Sequence, residues 1–163
     1  MIILIYFDEI VMRAKMSYFS AAVLLFFATG LQAEVVLRDL TGAKIPFSSL
    51  QGKWVFINFW ASWCQPCVDE IPELNRFYEQ NKAANFAMFA VNYDALSLDE
   101  QKKLINQLGI RYPTLSENPA GPLRLGDIRG VPVTFVFNPE GELSDTLYGG
   151  QTVRSLSRAV SYS

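Results

Sequence analysis

Trp60-Ala61-Ser62-Trp63-Cys64-Gln65-Pro66-Cys67 holds the only two cysteines of the 163-residue chain, spaced C-x-x-C. The run before it, Trp54-Val55-Phe56-Ile57-Asn58-Phe59, is β-branched and aromatic and reads as a strand, and the residues after Cys67 read as helix. The pair therefore sits at a strand-to-helix turn. Unpaired N–H groups and the positive end of the helix dipole favour a thiolate there, which makes Cys64 the candidate nucleophile. Cys67 lies one helical turn further on, within reach of a mixed disulfide formed at Cys64. With no histidine and no third cysteine, a structural zinc site would need carboxylates or another chain to complete it. A purely structural disulfide would close too short a loop to remove much chain entropy. Two thiolates suit Cu(I) better than zinc, so a copper-delivery protein is one rival reading; a binding or chaperone module with an incidental disulfide is another.

Phe59 through Cys67, read with Asn58 and Glu70-Ile71-Pro72, resembles the active-site stretch of the thioredoxin superfamily, and in particular the exported TlpA/ResA-like thiol-disulfide oxidoreductases. Arg129-Gly130-Val131-Pro132-Val133-Thr134-Phe135 resembles the cis-proline loop and following strand of that family. The resemblance runs from about Glu34 to the C-terminus and is thinnest in the middle. It implies an α/β thioredoxin fold, with a central mixed β-sheet flanked by helices and an N-terminal β-hairpin extension. It also implies a cis peptide bond before Pro132, a loop facing Cys64 and a Val131 backbone exposed to an extended substrate. No organic cofactor and no metal are needed. The implied partners are protein thiol or disulfide substrates and a membrane electron donor of the thiol-transfer type. The implied direction is that of a reductase, with cytochrome c maturation among the roles; a disulfide-donating oxidase is the alternative, since the residues do not give the direction of electron flow.

Three further residues carry chemistry. Trp63 would cover one side of the disulfide with an apolar surface, unless it is a core aromatic. Asn58 stands six residues before Cys64, where thioredoxin places a buried aspartate, and an amide cannot titrate. Glu70, at i+3 from Cys67, is placed to handle its proton. Glu70 and Asp69 equally suit the first turns of a helix, where acids meet the dipole favourably, and both readings stand.

Composition bounds the rest. Arg13 and Lys15 precede an apolar run from Ser17 to Leu31 that ends Leu31-Gln32-Ala33, the layout of a secretory signal peptide, so 1–33 is expected to be a signal peptide or retained anchor and 34–163 one thioredoxin-like domain. Asp8 and Glu9 are unusual for such a leader, and Met12 or Met16 could be the start. The expected location is the periplasm or another extracytoplasmic space, where disulfides persist. A formal charge of −2 without a basic cluster argues against nucleic acid as partner.

Along the chain, Glu34–Leu40 reads as a strand, Thr41–Lys44 as a turn, and Val68, Ile71, Leu74, Phe77 and Tyr78 as one buried helical face with Pro72 inside it. Phe86–Val91 reads as a strand. Ser97 with Glu100 forms a capping box for a helix through Leu108, closed by Gly109. Strand and helix in alternation imply parallel pairing. From Tyr112 to Gly130, Pro and Gly allow only a short helix near Leu123–Leu125, where the family would place a longer one. A hairpin, Val133–Phe137 and Glu142–Tyr148, and a helix from Thr152 to about Tyr162 close the chain.

Overall fold

A computed structural model describes residues 34–83 and 85–160; the expected signal segment 1–33 lies outside them. The apolar run at Trp54 forms β3 (Trp54–Trp60), after a short antiparallel hairpin of β1 (Val36–Arg38) and β2 (Lys44–Pro46) and a 3-10 turn at Phe47–Leu50. Helix α1 (Gln65–Asn81) leads to β4 (Phe86–Asn92), α2 (Leu98–Leu108) and the two-residue β5 (Thr114–Leu115). Strands β6 (Val133–Phe137) and β7 (Leu143–Tyr148) and helix α3 (Val153–Ala159) complete the domain.

The sheet has the order β5-β4-β3-β6-β7. β3 pairs in parallel with β4 and antiparallel with β6, which explains why its sequence is apolar on both faces rather than alternating. The two-residue period of β3 divides the core. Phe56 and Trp60 face a cluster with Leu74 and Phe77 of α1, Met88 and Leu156 of α3. Val55, Ile57 and Phe59 face a second cluster with Leu37, Phe89, Phe135 and Phe137. Asn58 falls on the first of these faces, on the side of α1, and so does every buried polar contact it makes.

Helices α1, α2 and α3 all contribute to the first cluster; the second is covered by the hairpin, the 3-10 turn and the segment around Ala120, Leu123, Leu125 and Ile128. That segment holds turns rather than the short helix expected there: Leu123 N–H donates to Pro119 O and Leu125 N–H to Ala120 O. Pro119, Pro122 and Gly126 break the helical ladder while Leu123 and Leu125 still reach the core. The first strand is shorter than the Glu34–Leu40 expected, because Asp39 turns the chain by accepting Thr41 N–H and Ala43 N–H. The last helix ends at Ala159, short of Tyr162, with Val160 as its cap. The chain after β1 also follows the outer edge of β5. Leu40 N–H donates to Thr114 O, Ser116 N–H to Arg38 O, and Asp39 bridges Leu115.

Candidate active site

Cys64 and Cys67 are joined as a disulfide, with Cα atoms 5.3 Å apart. Cys64 is the N-cap of α1, in extended conformation, and its Sγ accepts the Cys67 N–H at 3.3 Å. Sulfur thus takes the place of the usual capping oxygen, and in the reduced state the same N–H would stabilise a Cys64 thiolate. Pro66, at the first turn, removes an N–H that the helix has no use for. The turn before Cys64 is held from β4's end: Tyr93 N–H donates to Trp60 O at 2.7 Å, and Asp94 Oδ2 accepts Ser62 N–H at 2.9 Å.

Both sulfur-bearing residues are buried, Cys67 completely and Cys64 nearly so. Trp63 beside them is 71% exposed, which removes the core-aromatic reading. Across the site, the Val131–Pro132 peptide bond is cis and Val131 O lies 3.5 Å from Cys64 Sγ. A disulfide sulfur carries no proton, so this is a contact; a reduced Cys64 thiol could donate across it. Pro132 is buried and Val131 half-buried. Arg129 is exposed.

Glu70, 3% exposed, sits one turn beyond Cys67 on α1. Its Oε1 accepts Asn58 Nδ2–H at 2.9 Å and its Oε2 accepts the Gln151 backbone N–H at 2.7 Å. Burial raises its pKa from 4.5 to about 7, and the bonds from Asn58 and Gln151 counter that only in part. Asn58 Nδ2 also donates to Thr134 Oγ1 at 3.0 Å, and Tyr112 OH donates to Asn58 Oδ1 at 3.4 Å. Burial, with the Glu70 charge adding to it, holds the Tyr112 phenol neutral well above its ordinary range. An amide at position 58 therefore leaves Glu70 as the group of this network that titrates near neutrality.

Residue spacing pointed to Cys64, Cys67 and Glu70. It did not reveal Tyr112, Thr134 or Gln151, which lie 54, 76 and 81 positions from their partners. The alternation of β6 places Thr134 on the face of Asn58 through the register pair Asn58–Thr134, a signal available once the two strands are paired.

The AhpC/TSA family matches residues 21–146. The chain belongs to this family of thioredoxin-like proteins. It is 31% identical over 121 residues to the thiol-disulfide oxidoreductase ResA of Bacillus anthracis, covering 74% of this chain and 69% of that one. The ResA of Bacillus subtilis is 32% identical over 117 residues, covering 72% and 65%. Among solved structures, a thioredoxin-family thiol:disulfide interchange protein from Chlorobium tepidum matches with TM-score 0.64 at 27% identity, over 78% of this chain and 91% of that one. StoA from Bacillus subtilis matches with TM-score 0.66 at 22% identity over 80% and 98%, a likeness of fold. The chain is thus a thioredoxin-family thiol-disulfide oxidoreductase, with a thioredoxin-like fold carrying an N-terminal hairpin.

Proposed function

We propose that this member of the family reduces disulfides in exported proteins outside the cytoplasm, using electrons from a membrane donor of the thiol-transfer type, with cytochrome c maturation as the class of process served. In the forward reaction the Cys64 thiolate attacks one sulfur of a substrate disulfide. The substrate S–S bond breaks, a mixed disulfide forms, and the leaving thiolate takes a proton. Cys67 then gives up its proton to Glu70, and its thiolate attacks Cys64 Sγ. The mixed disulfide breaks and the second substrate thiolate leaves and is protonated. The substrate gains two electrons and two protons, and the Cys64–Cys67 pair returns to the disulfide until the donor reduces it.

The observation that carries this reading is the Cys64–Cys67 disulfide at the start of α1 with Cys64 Sγ as the cap. Glu70 supports the proton step, since a carboxyl with a pKa of about 7 can accept and return a proton near neutrality. Trp63 and the backbone of Val131 would receive the substrate, with Pro132 fixing the loop. The extracytoplasmic location rests on the leader-like 1–33 and on the chemistry of the pair.

The deciding measurement is the reduction potential of the Cys64/Cys67 couple in glutathione buffers, on residues 34–163. A value near about −270 mV is expected for a reductase that draws on a reducing partner. A value near about −120 mV would make the protein a disulfide donor and overturn the direction proposed.

A further inference from the structure

We infer that Gln151 is a positioning residue for disulfide exchange, fixing the loop between β7 and α3 so that the Pro132 loop is held opposite Cys64. Its carboxamide is buried, and Nε2–H donates to Gly149 O at 2.7 Å and to Tyr148 O at 3.3 Å. Its backbone N–H donates to Glu70 Oε2. Gly149, in turn, donates its N–H to Pro132 O at 2.9 Å, and Val131 O meets Cys64 Sγ. These contacts close a ring. It runs from Cys64 along α1 to Glu70, to Gln151, to Gly149, to the Pro132 loop and back to Cys64.

After Gln151 the chain is held by the Thr152–Ser155 capping box and by Val153 N–H donating to Glu73 Oε2, so it is the stretch Tyr148–Gly150 before it that depends on Gln151. Tyr148, Gly149 and Gly150 are exposed, and Gly149 has φ of +77°, a backbone state that glycine adopts without cost. Gly150 lies against the Pro66 carbonyl in the first turn of α1 without donating a hydrogen bond to it. Two glycines in succession leave the path unspecified by local sequence, so a buried donor is what selects one path. Tyr148, 79% exposed, stands opposite Val133 in the ladder, next in sequence to Pro132. The role of Gln151 concerns how an extended polypeptide is received and not the intrinsic reactivity of Cys64.

This inference rests on the exchange reading above, and the test separates the two. The reduced full chain is mixed with a peptide cyclised by one disulfide, which must lie on the Pro132 loop, and separately with dithiobis(nitrobenzoate), which needs only the Cys64 sulfur. Gln151→Met keeps the buried volume and removes both donors; the carbonyls it frees belong to exposed residues and can bond water. Gln151→Ala is the companion variant. The expected result is a rate with the peptide about tenfold lower for Gln151→Met, with the rate for the small disulfide within about twofold of wild type. Equal slowing with both disulfides, or a peptide rate within about twofold of wild type, would overturn the positioning role. A wild-type chain no faster with the peptide than the Cys64→Ser, Cys67→Ser double variant would overturn the exchange reading itself.

Discussion

Glu70 shows how one buried carboxyl can be set by competing effects. Desolvation raises its pKa, two hydrogen bonds to the charged form lower it, and desolvation wins, leaving the value at about 7. If Glu70 takes the Cys67 proton, the rate of the resolving step in wild type should bend near pH 7, rising as Glu70 ionises. In Glu70→Gln the bend should vanish and the rate should fall about a hundredfold. Stopped-flow measurement of thiol release across pH reads both, and an unchanged profile would remove the catalytic role. The two cysteines separate just as cleanly. Cys67→Ser should accumulate a mixed disulfide with a reacting peptide, visible by mass spectrometry, and Cys64→Ser should not.

At the scale of elements, the clearest sequence signals were those made locally. The capping box at the start of α2 has both of its bonds, Glu100 N–H to Ser97 Oγ and Ser97 N–H to Glu100 Oε2, and Gly109 ends the helix at φ of +68°. Ser97→Ala should therefore cost about 1 kcal/mol in urea unfolding while leaving the Cys64/Cys67 potential unchanged. The strand β3 and the helical face of α1 were equally readable, the first from a continuous β-branched and aromatic run and the second from a period of about 3.6 residues. Three features were not. β5 is two residues long and owes its existence to β4 beside it and the chain following β1 on its other edge. The turns at Pro119–Leu125 bury leucines without a repeating period. The partners of Asn58 and Glu70 come from β6, from the chain leading into β5 and from the loop before α3, and no spacing within one element encodes them. The disulfide was legible because both sulfurs lie within a single turn; the network behind it was not, because tertiary packing assembles it.

For the whole molecule, Glu70 has a consequence for stability. A carboxyl held at about 7 in the folded chain and near 4.5 in the unfolded one binds more protons when folded. Its contribution is fully present below about pH 4.5 and is lost as pH rises through about 7, an effect of roughly 3 kcal/mol. Asp39, Glu73 and Glu100 have lowered values and act in the opposite sense at the acid end, so the difference between wild type and Glu70→Gln isolates the term. In urea unfolding of the oxidised protein, that difference should change by about 3 kcal/mol between about pH 4 and about pH 8, in the direction that favours Glu70→Gln at high pH. The bonds from Arg38, Asp39 and Leu40 to the β5 edge carry a different kind of consequence. One rim of the sheet is covered by residues 38–40, while β7, the last strand on the other side, has no neighbour beyond it among the described residues. Among the described residues the backbone groups on the outer side of β7 are therefore the ones left without a ladder partner, and the short β5 is the edge that is covered.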